Sequence, residues 1–106
     1  MRGNVFGTAE RPRLTVAKSL NNIFAQIIDD EKMITLAAVA SNSQKVRSKL
    51  KKNMTKTDIA LKVGEILADD AKAKGIIRVV FDRNKYQYHG RIKAVAEGVR
   101  KGGIEF

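Results

Sequence analysis

The sequence predicts an α/β (α+β) fold of order βββαβα: a mixed sheet with an antiparallel three-strand meander and two helices packed on one face. Three observations predict it. Residues 13–40 alternate with period two and break at short polar connectors. Residues 57–74 and 90–101 repeat apolar positions at helical spacing, and a dense apolar run, IIRVVF, separates them. At 106 residues the chain suits a single globular domain over 13–106 with one modest core, preceded by a lead segment over 1–12.

Each element has its own signal. In residues 13–18, Leu14 and Val16 take one face while Arg13, Thr15 and Ala17 take the other. In residues 23–28, Ile23, Ala25 and Ile27 oppose Phe24, Gln26 and Ile28. Residues 33–40 give a third strand through Ile34, Thr35 and Val39. The connectors Ser19–Asn22 and Asp29–Lys32 are short and polar, as hairpin loops are. Pairing Lys18 with Ile23 gathers Leu14, Val16, Ile23, Ala25 and Ile27 on the helix-covered face. Pairing Ile28 with Met33 adds Thr35 and Ala37 to the open face, where a Thr15–Gln26–Thr35 row lies beside Phe24.

Residues 43–52 read as a short basic helix with Val46 and Leu50 one turn apart. From Thr57 to Lys74 the pattern is a longer helix. Thr55 and Asp58 form a capping box, Ile59, Val63, Ile66 and Leu67 form the apolar stripe, and Gly75 fits the left-handed position past the last turn. Gly64 costs about 1 kcal/mol inside a helix, which implies a close approach to the sheet. Ile76–Phe81 reads as a strand buried on both faces, with Arg78 toward its start. A second helix, Gly90–Lys101, carries Ile92, Val95, Ala96 and Val99 and stops at Gly102-Gly103.

Composition bounds the chemistry. The absence of Cys removes disulfides, thiol catalysis and Cys-ligated zinc together. No apolar run reaches the roughly 20 residues of a membrane span, and Met1 to Glu10 carries no apolar core of a secretory signal, so an intracellular chain is expected. The net charge is +10, and it is concentrated. Segments 41–57 and 83–101 hold 12 of the 21 basic residues and one of the 11 acids. A focused positive field suits a polyanion, nucleic acid first and an anionic membrane second. Within 45–52 only Val46 and Leu50 are available to insert in a membrane, which favours phosphate.

The densest constellation runs from Phe81 to Arg91. It leaves a strand and enters a helix, whose unpaired N–H groups favour an anion. Arg83, Lys85 and Arg91 supply charge; Tyr86 and Tyr88 supply π-faces and hydroxyls, or else are half-buried core aromatics. Phosphate contacts beside stacking aromatics make an RNA site, and the open sheet face either holds unstacked bases or is an ordinary solvent face. His89, the sole histidine, has no partner nucleophile and no companion ligands, so capping or RNA contact is its expected part. Asp82 is the one acid placed where it could orient Arg83 or His89, with a structural hydrogen bond as its default part. The Asp29-Asp30-Glu31 cluster reads as a solvated turn without the spaced ligands of a calcium loop. No metal, cofactor, small-molecule substrate or catalysis is expected. A free-standing nucleic-acid-binding regulator and a small RNA-processing enzyme built on His89 and Asp82 are the alternatives.

Several motifs, in order, carry a family resemblance. Gly7-Thr8-Ala9-Glu10-Arg11-Pro12-Arg13-Leu14, then Asn22-Ile23-Phe24-Ala25-Gln26-Ile27-Ile28-Asp29, then Phe81-Asp82-Arg83 with Tyr86-Gln87-Tyr88-His89-Gly90-Arg91 resemble the bacterial-type large-subunit ribosomal protein eighteen family. The similarity runs from Gly7 to Phe106 and includes Gly64, Gly75-Ile76 and the ending Gly103-Ile104-Glu105-Phe106. The resemblance implies a 5S rRNA-binding protein of the ribosome, cytoplasmic or organellar, that helps attach 5S rRNA to 23S rRNA in the central protuberance, beside neighbouring large-subunit proteins. It maps RNA contact onto Arg11 and Arg13; Lys18, Ser19, Asn21 and Asn22 of the hairpin; and Phe24 and Gln26. It also maps contact onto Ser41, Asn42, Ser43 and Lys45, and onto Arg83, Lys85, Tyr86, Tyr88, His89 and Arg91. Two positions differ from the usual pattern: only Arg2 supplies charge ahead of Gly7, and Leu20 stands where aromatic or basic residues are common.

Overall fold

In the computed structural model, which describes residues 6–84 and 86–106, the alternating N-terminal half forms three antiparallel strands. These are β1 (Arg13–Lys18), β2 (Ile23–Asp29) and β3 (Ile34–Ala40). Lys18 pairs with Ile23, so Leu14, Val16, Ile23, Ala25 and Ile27 share one buried face, as their alternation requires. The second hairpin departs from the expected register. Met33 adopts φ 57 within the turn instead of pairing with Ile28, and the ladder closes on Asp29 and Ile34. A bulge between Ile27 and Ile28 then inserts one residue and reverses the facing beyond it. Ala37 therefore sits opposite Ile27 in the core, not on the open face. Ala38, not Thr35, completes the Thr15–Gln26 row, and Thr35 lies opposite Ile28.

The helices follow their caps. α1 (Gln44–Arg47) is a single turn of the longer basic helix expected over 43–52. Val46 is fully buried and Leu50 half-buried against the core, so the apolar pair still faces inward. α2 (Lys56–Ala73) opens on the reciprocal capping box of Thr55 and Asp58, with both hydrogen bonds at 3.1 Å. It ends with Gly75 at φ +82, whose N–H donates to the Lys72 carbonyl while the Ile76 N–H donates to that of Ala71.

β4 (Val80–Asp82) lies parallel to β1, giving the sheet order β3-β2-β1-β4. The expectation of a strand buried on both faces fails here. β4 is an edge strand of three residues, Ile77 and Arg78 are exposed, and Val80 and Phe81 are half-buried. Both helices lie on one face of the sheet, so the other face of this run has no covering layer and its density of apolar residues does not become two-sided burial. The C-terminal segment extends this edge: the Val79 N–H donates to the Glu105 carbonyl and the Glu105 N–H to that of Ile77.

α3 (Gly90–Lys101) has the expected bounds and stops at Gly102-Gly103. It lies beside α2 in the same direction, with Gly64 against Gly98 and Ala68 against Gly102. A Cβ on Gly64 would stand 2.2 Å from the Val95 carbonyl oxygen, and one on Gly98 2.3 Å from that of Leu61. Gly64 thus opens room for the other helix, not for the sheet. Val63 and Leu67 of α2 and Ile92, Val95 and Val99 of α3 complete one core over the covered sheet face.

Candidate nucleic-acid interface

The sheet has two unlike ends, and they sort the candidate residues. At the hairpin end, Ser19 and Asn22 close the β1–β2 turn: the Ser19 N–H donates to the Asn22 carbonyl at 2.9 Å, and the Asn22 N–H to Ser19 Oγ at 3.3 Å. Lys18, Leu20 and Asn21 are exposed beside them. Ser41 is buried and holds the base of this turn: its Oγ accepts the Ile23 N–H at 2.9 Å and donates to Asn22 Oδ1 at 3.1 Å. Its hydroxyl is committed to the fold. Asn42 is exposed, and the Ser43 hydroxyl at the α1 N-cap is enclosed with no hydrogen-bond partner among the described residues.

α2 and α3 both begin at this end. Lys56 Nζ donates to the Leu20 carbonyl at 2.7 Å, and Arg91 lines a small cleft with Asn21, Ser41 and Lys56. Two helix N-termini add partial positive charge here. In α2 Asp58 offsets it, whereas α3 has no acid in its first turn and no side-chain cap from His89, which is exposed. On the open face next to the turn, Phe24 is 38% exposed and flanked by Ala17 and Ala40. Small neighbours leave its ring surface free. Gln26, one row in, is half-buried.

The 81–91 loop divides between frame and surface. Asn84, at φ 58, donates through Nδ2 to Thr15 Oγ1 at 3.0 Å and the Val16 carbonyl at 2.8 Å. It roofs Thr15, which is buried, so the open face is closed at that point. Sequence reasoning did not assign Asn84 a role; an Asn in a loop between charged residues, tolerant of positive φ, was the available signal. The half-buried Tyr86 is anchored: its hydroxyl accepts the Lys18 N–H and donates to the Lys18 carbonyl, both at 3.3 Å, and Lys18 Nζ lies 5.5 Å from its ring centre. Tyr88 is 38% exposed, meets Phe81 edge-on at 6.0 Å, and accepts from Arg100 Nη1 at 3.4 Å. Arg83 is exposed and Arg91 half-buried; Lys85 lies outside the described residues.

At the opposite end the charges are spent on each other. Arg13 Nε and Nη2 donate to the two Asp30 carboxylate oxygens at 2.9 and 3.1 Å, and Nη1 donates to Asp82 at 3.2 Å. Asp30 also accepts the Gly7 N–H at 2.7 Å, which ties the lead segment to the sheet. The Arg13 guanidinium holds the Asp30 carboxyl below its ordinary range, with the Gly7 N–H adding to the effect. Asp30, with Asp82, in turn pushes the Arg13 pKa further up. Asp82 takes up the structural hydrogen bonds that were its default expectation, accepting from Arg13 and from the Asn84 N–H at 2.9 Å. The acidic turn is not simply solvated either. Asp29 is buried, and its Oδ1 accepts the N–H groups of Glu31 and Lys32. Arg11 is exposed, at a turn closed by Thr8.

Lys45 is paired with Asp70 on the flank of α2. Among the described residues, no group of His, Cys, Asp or Glu is arranged to hold a metal, and no helix is long and apolar enough to cross a membrane. The structure therefore brings together the hairpin turn, Phe24, Tyr86 and Arg91, and separates them from Arg11 and Arg13, while Lys45 is engaged by Asp70.

Comparison with known proteins gives matches over the whole chain. All of residues 1–106 match the family model described as ribosomal L18 of archaea, bacteria, mitochondria and chloroplast. The chain is 55% identical over 106 residues to the large ribosomal subunit protein uL18 of Chloroherpeton thalassium, covering 100% of this chain and 87% of that one. It is 53% identical over 107 residues to uL18 of Caldicellulosiruptor saccharolyticus, covering 100% and 85%. For uL18 of Staphylococcus aureus the identity is 50% over 106 residues, covering 100% and 86%.

Proposed function

Because the chain belongs to the ribosomal L18 family, structural and non-catalytic constituents of the large ribosomal subunit, we propose that it binds 5S rRNA and helps attach it to 23S rRNA in the central protuberance. One observation carries the reading. At the hairpin end, Lys18 and Arg91 have no acid partner among the described residues, and Phe24 at the same end is exposed on the open face. Such cations are available to phosphates, and an accessible ring is available to an unstacked base.

The proposed contacts are Lys18, Ser19, Asn21, Asn22, Phe24, Gln26, Asn42, Arg83, Tyr88, His89 and Arg91, with Arg11 more remote. Arg13, Ser41 and Tyr86 serve the site by holding its frame, since their polar atoms are already engaged. Neighbouring large-subunit proteins are further proposed partners. Affinity for 5S rRNA and for tRNA, measured across a salt series, tests the proposal. A marked preference for 5S rRNA and a steep fall with salt are expected, because each phosphate neutralised releases counterions. Equal affinity for the two RNAs would overturn it.

A further inference from the structure

β1 has two edges, and the register assigns its backbone groups to one or the other. The Val80 N–H donates to the Pro12 carbonyl. Alternate residues of a strand offer N–H and C=O to the same side, so Leu14, Val16 and Lys18 face β4. On the other edge the Ser19 N–H donates to the Asn22 carbonyl, and the same count turns Ala17, Thr15 and Arg13 toward β2. β4 ends at Asp82, opposite Thr15. The Val16 carbonyl and both backbone groups of Lys18 therefore lie past the last residue of the neighbouring strand.

Two side chains take those groups in place of a strand. Asn84 Nδ2 donates to the Val16 carbonyl at 2.8 Å and to Thr15 Oγ1 at 3.0 Å. The Tyr86 hydroxyl accepts the Lys18 N–H and donates to the Lys18 carbonyl. Asparagine suits the first position on two counts: its amide carries two donors, and it tolerates the φ of 58 found there. Its own N–H is held by Asp82 Oδ1 at 2.9 Å, which aims the amide back across β1. The other backbone bonds of this stretch are local, Tyr86 N–H to the Arg83 carbonyl and His89 N–H to that of Gln87. Asn84 and Tyr86 thus tie the connection between β4 and α3 to the strand that leads into the Ser19–Asn22 turn.

We propose that Asn84 is a positioning residue for RNA recognition: its amide continues the β4 edge along β1 and so holds Arg83, Tyr88 and Arg91 beside the hairpin turn before RNA arrives. This rests on the function proposed above and deepens it. Asn84 acts through those side chains and not by touching RNA. A surface ordered in advance binds without meeting the cost of ordering it in the complex.

The test uses Asn84→Gly, which accepts the positive φ and removes the amide, and Tyr86→Phe, which removes only the hydroxyl. Affinity for 5S rRNA is measured across a salt series well below each variant's melting temperature, with tRNA as the control, and amide exchange is followed in the free chain. For Asn84→Gly we expect 5S affinity weaker by about tenfold with an unchanged salt slope, because the same phosphates are neutralised once the complex forms. Exchange at the Lys18, Tyr86 and His89 amides should quicken by about tenfold in the free variant, while α2 amides stay within about twofold. Tyr86→Phe should move both quantities the same way by a smaller factor. Unchanged 5S affinity despite faster exchange would reduce Asn84 to a contact of the fold and overturn the inference. A shallower salt slope would also overturn it, since contacts would then be lost in the complex and not order before it; so would unchanged exchange. Equal affinity of the unmodified chain for the two RNAs would sink the earlier proposal and this one with it. Loss of the Asn84 effect with the preference for 5S rRNA intact would sink this one alone.

Discussion

Arg13 and Lys18 stand at the two ends of the same strand, about 17 Å apart, and have opposite fates. Arg13 is clasped by Asp30 and Asp82, and its side chain is only 20% exposed. Lys18 has no acid partner among the described residues and leans on the ring of Tyr86. The turn end spends its charge on joining the lead segment, β1, β2 and β4; the hairpin end leaves its charge outward. A basic residue in a nucleic-acid-binding chain is thus not by that fact a contact, and its neighbours decide whether it holds the fold or the ligand.

Substitutions at the two ends should separate these tasks. Arg13→Ala removes the cation that clasps the part-buried Asp30 and reaches Asp82, and should lower unfolding free energy by about 3 kcal/mol in chemical denaturation. Affinity of the folded variant for 5S rRNA should change less than about threefold. Phe24→Ala should do the reverse, losing about 2 kcal/mol of 5S affinity if a base stacks on the ring, with little change in stability. If Arg13→Ala cost affinity and spared stability, the division between the ends would be broken.

The turn end also predicts a pH dependence. Hydrogen bonds from Arg13 and the Gly7 N–H hold the Asp30 carboxyl below its ordinary value of 3.8. A carboxyl lowered on folding contributes stability that is complete above its unfolded pKa and is lost as pH falls through its folded one. Denaturation midpoints should therefore fall progressively below about pH 4, and Asp30→Asn should flatten that fall. The smallest effect belongs to the Lys45–Asp70 pair, whose lysine is half exposed. Asp70→Asn should shift stability by no more than about 0.5 kcal/mol, with a slight gain in RNA affinity as Lys45 is freed.

Local chemistry was readable in advance wherever one residue type decides it. The Thr55–Asp58 box, Gly75 and the apolar stripe of 90–101 act through neighbours three or four positions away, so the expected α2 and α3 formed within a residue or two. The β1–β2 register followed from alternation alone. What failed were questions of who sits next to whom. The bulge at Ile27 and Ile28 depends on how the Met33 turn closes, and periodicity does not register an inserted residue. The partner of Gly64 is α3 because two helices share the covered face. The IIRVVF run is apolar but lies at an edge, and edge position is a property of the whole sheet order.

The candidate site was legible as composition and not as connectivity. The exposure of Phe24 agrees with its expected place on the open face, and the 81–91 loop does meet the hairpin end. That Arg13 and Ser41 are occupied, that Asn84 roofs Thr15, and that Tyr86 is pinned to Lys18 are contacts across 18 to 69 residues of sequence. No spacing rule carries them.

Amide hydrogen exchange of the intact chain, with and without 5S rRNA, puts the difference between the two ends to the most direct test. Slower exchange is expected in the complex over 18–24 and 86–92, with the 29–34 turn unchanged. Protection centred on 29–34, or none at the hairpin end, would contradict the assignment of RNA to the end where the cations stand unpaired.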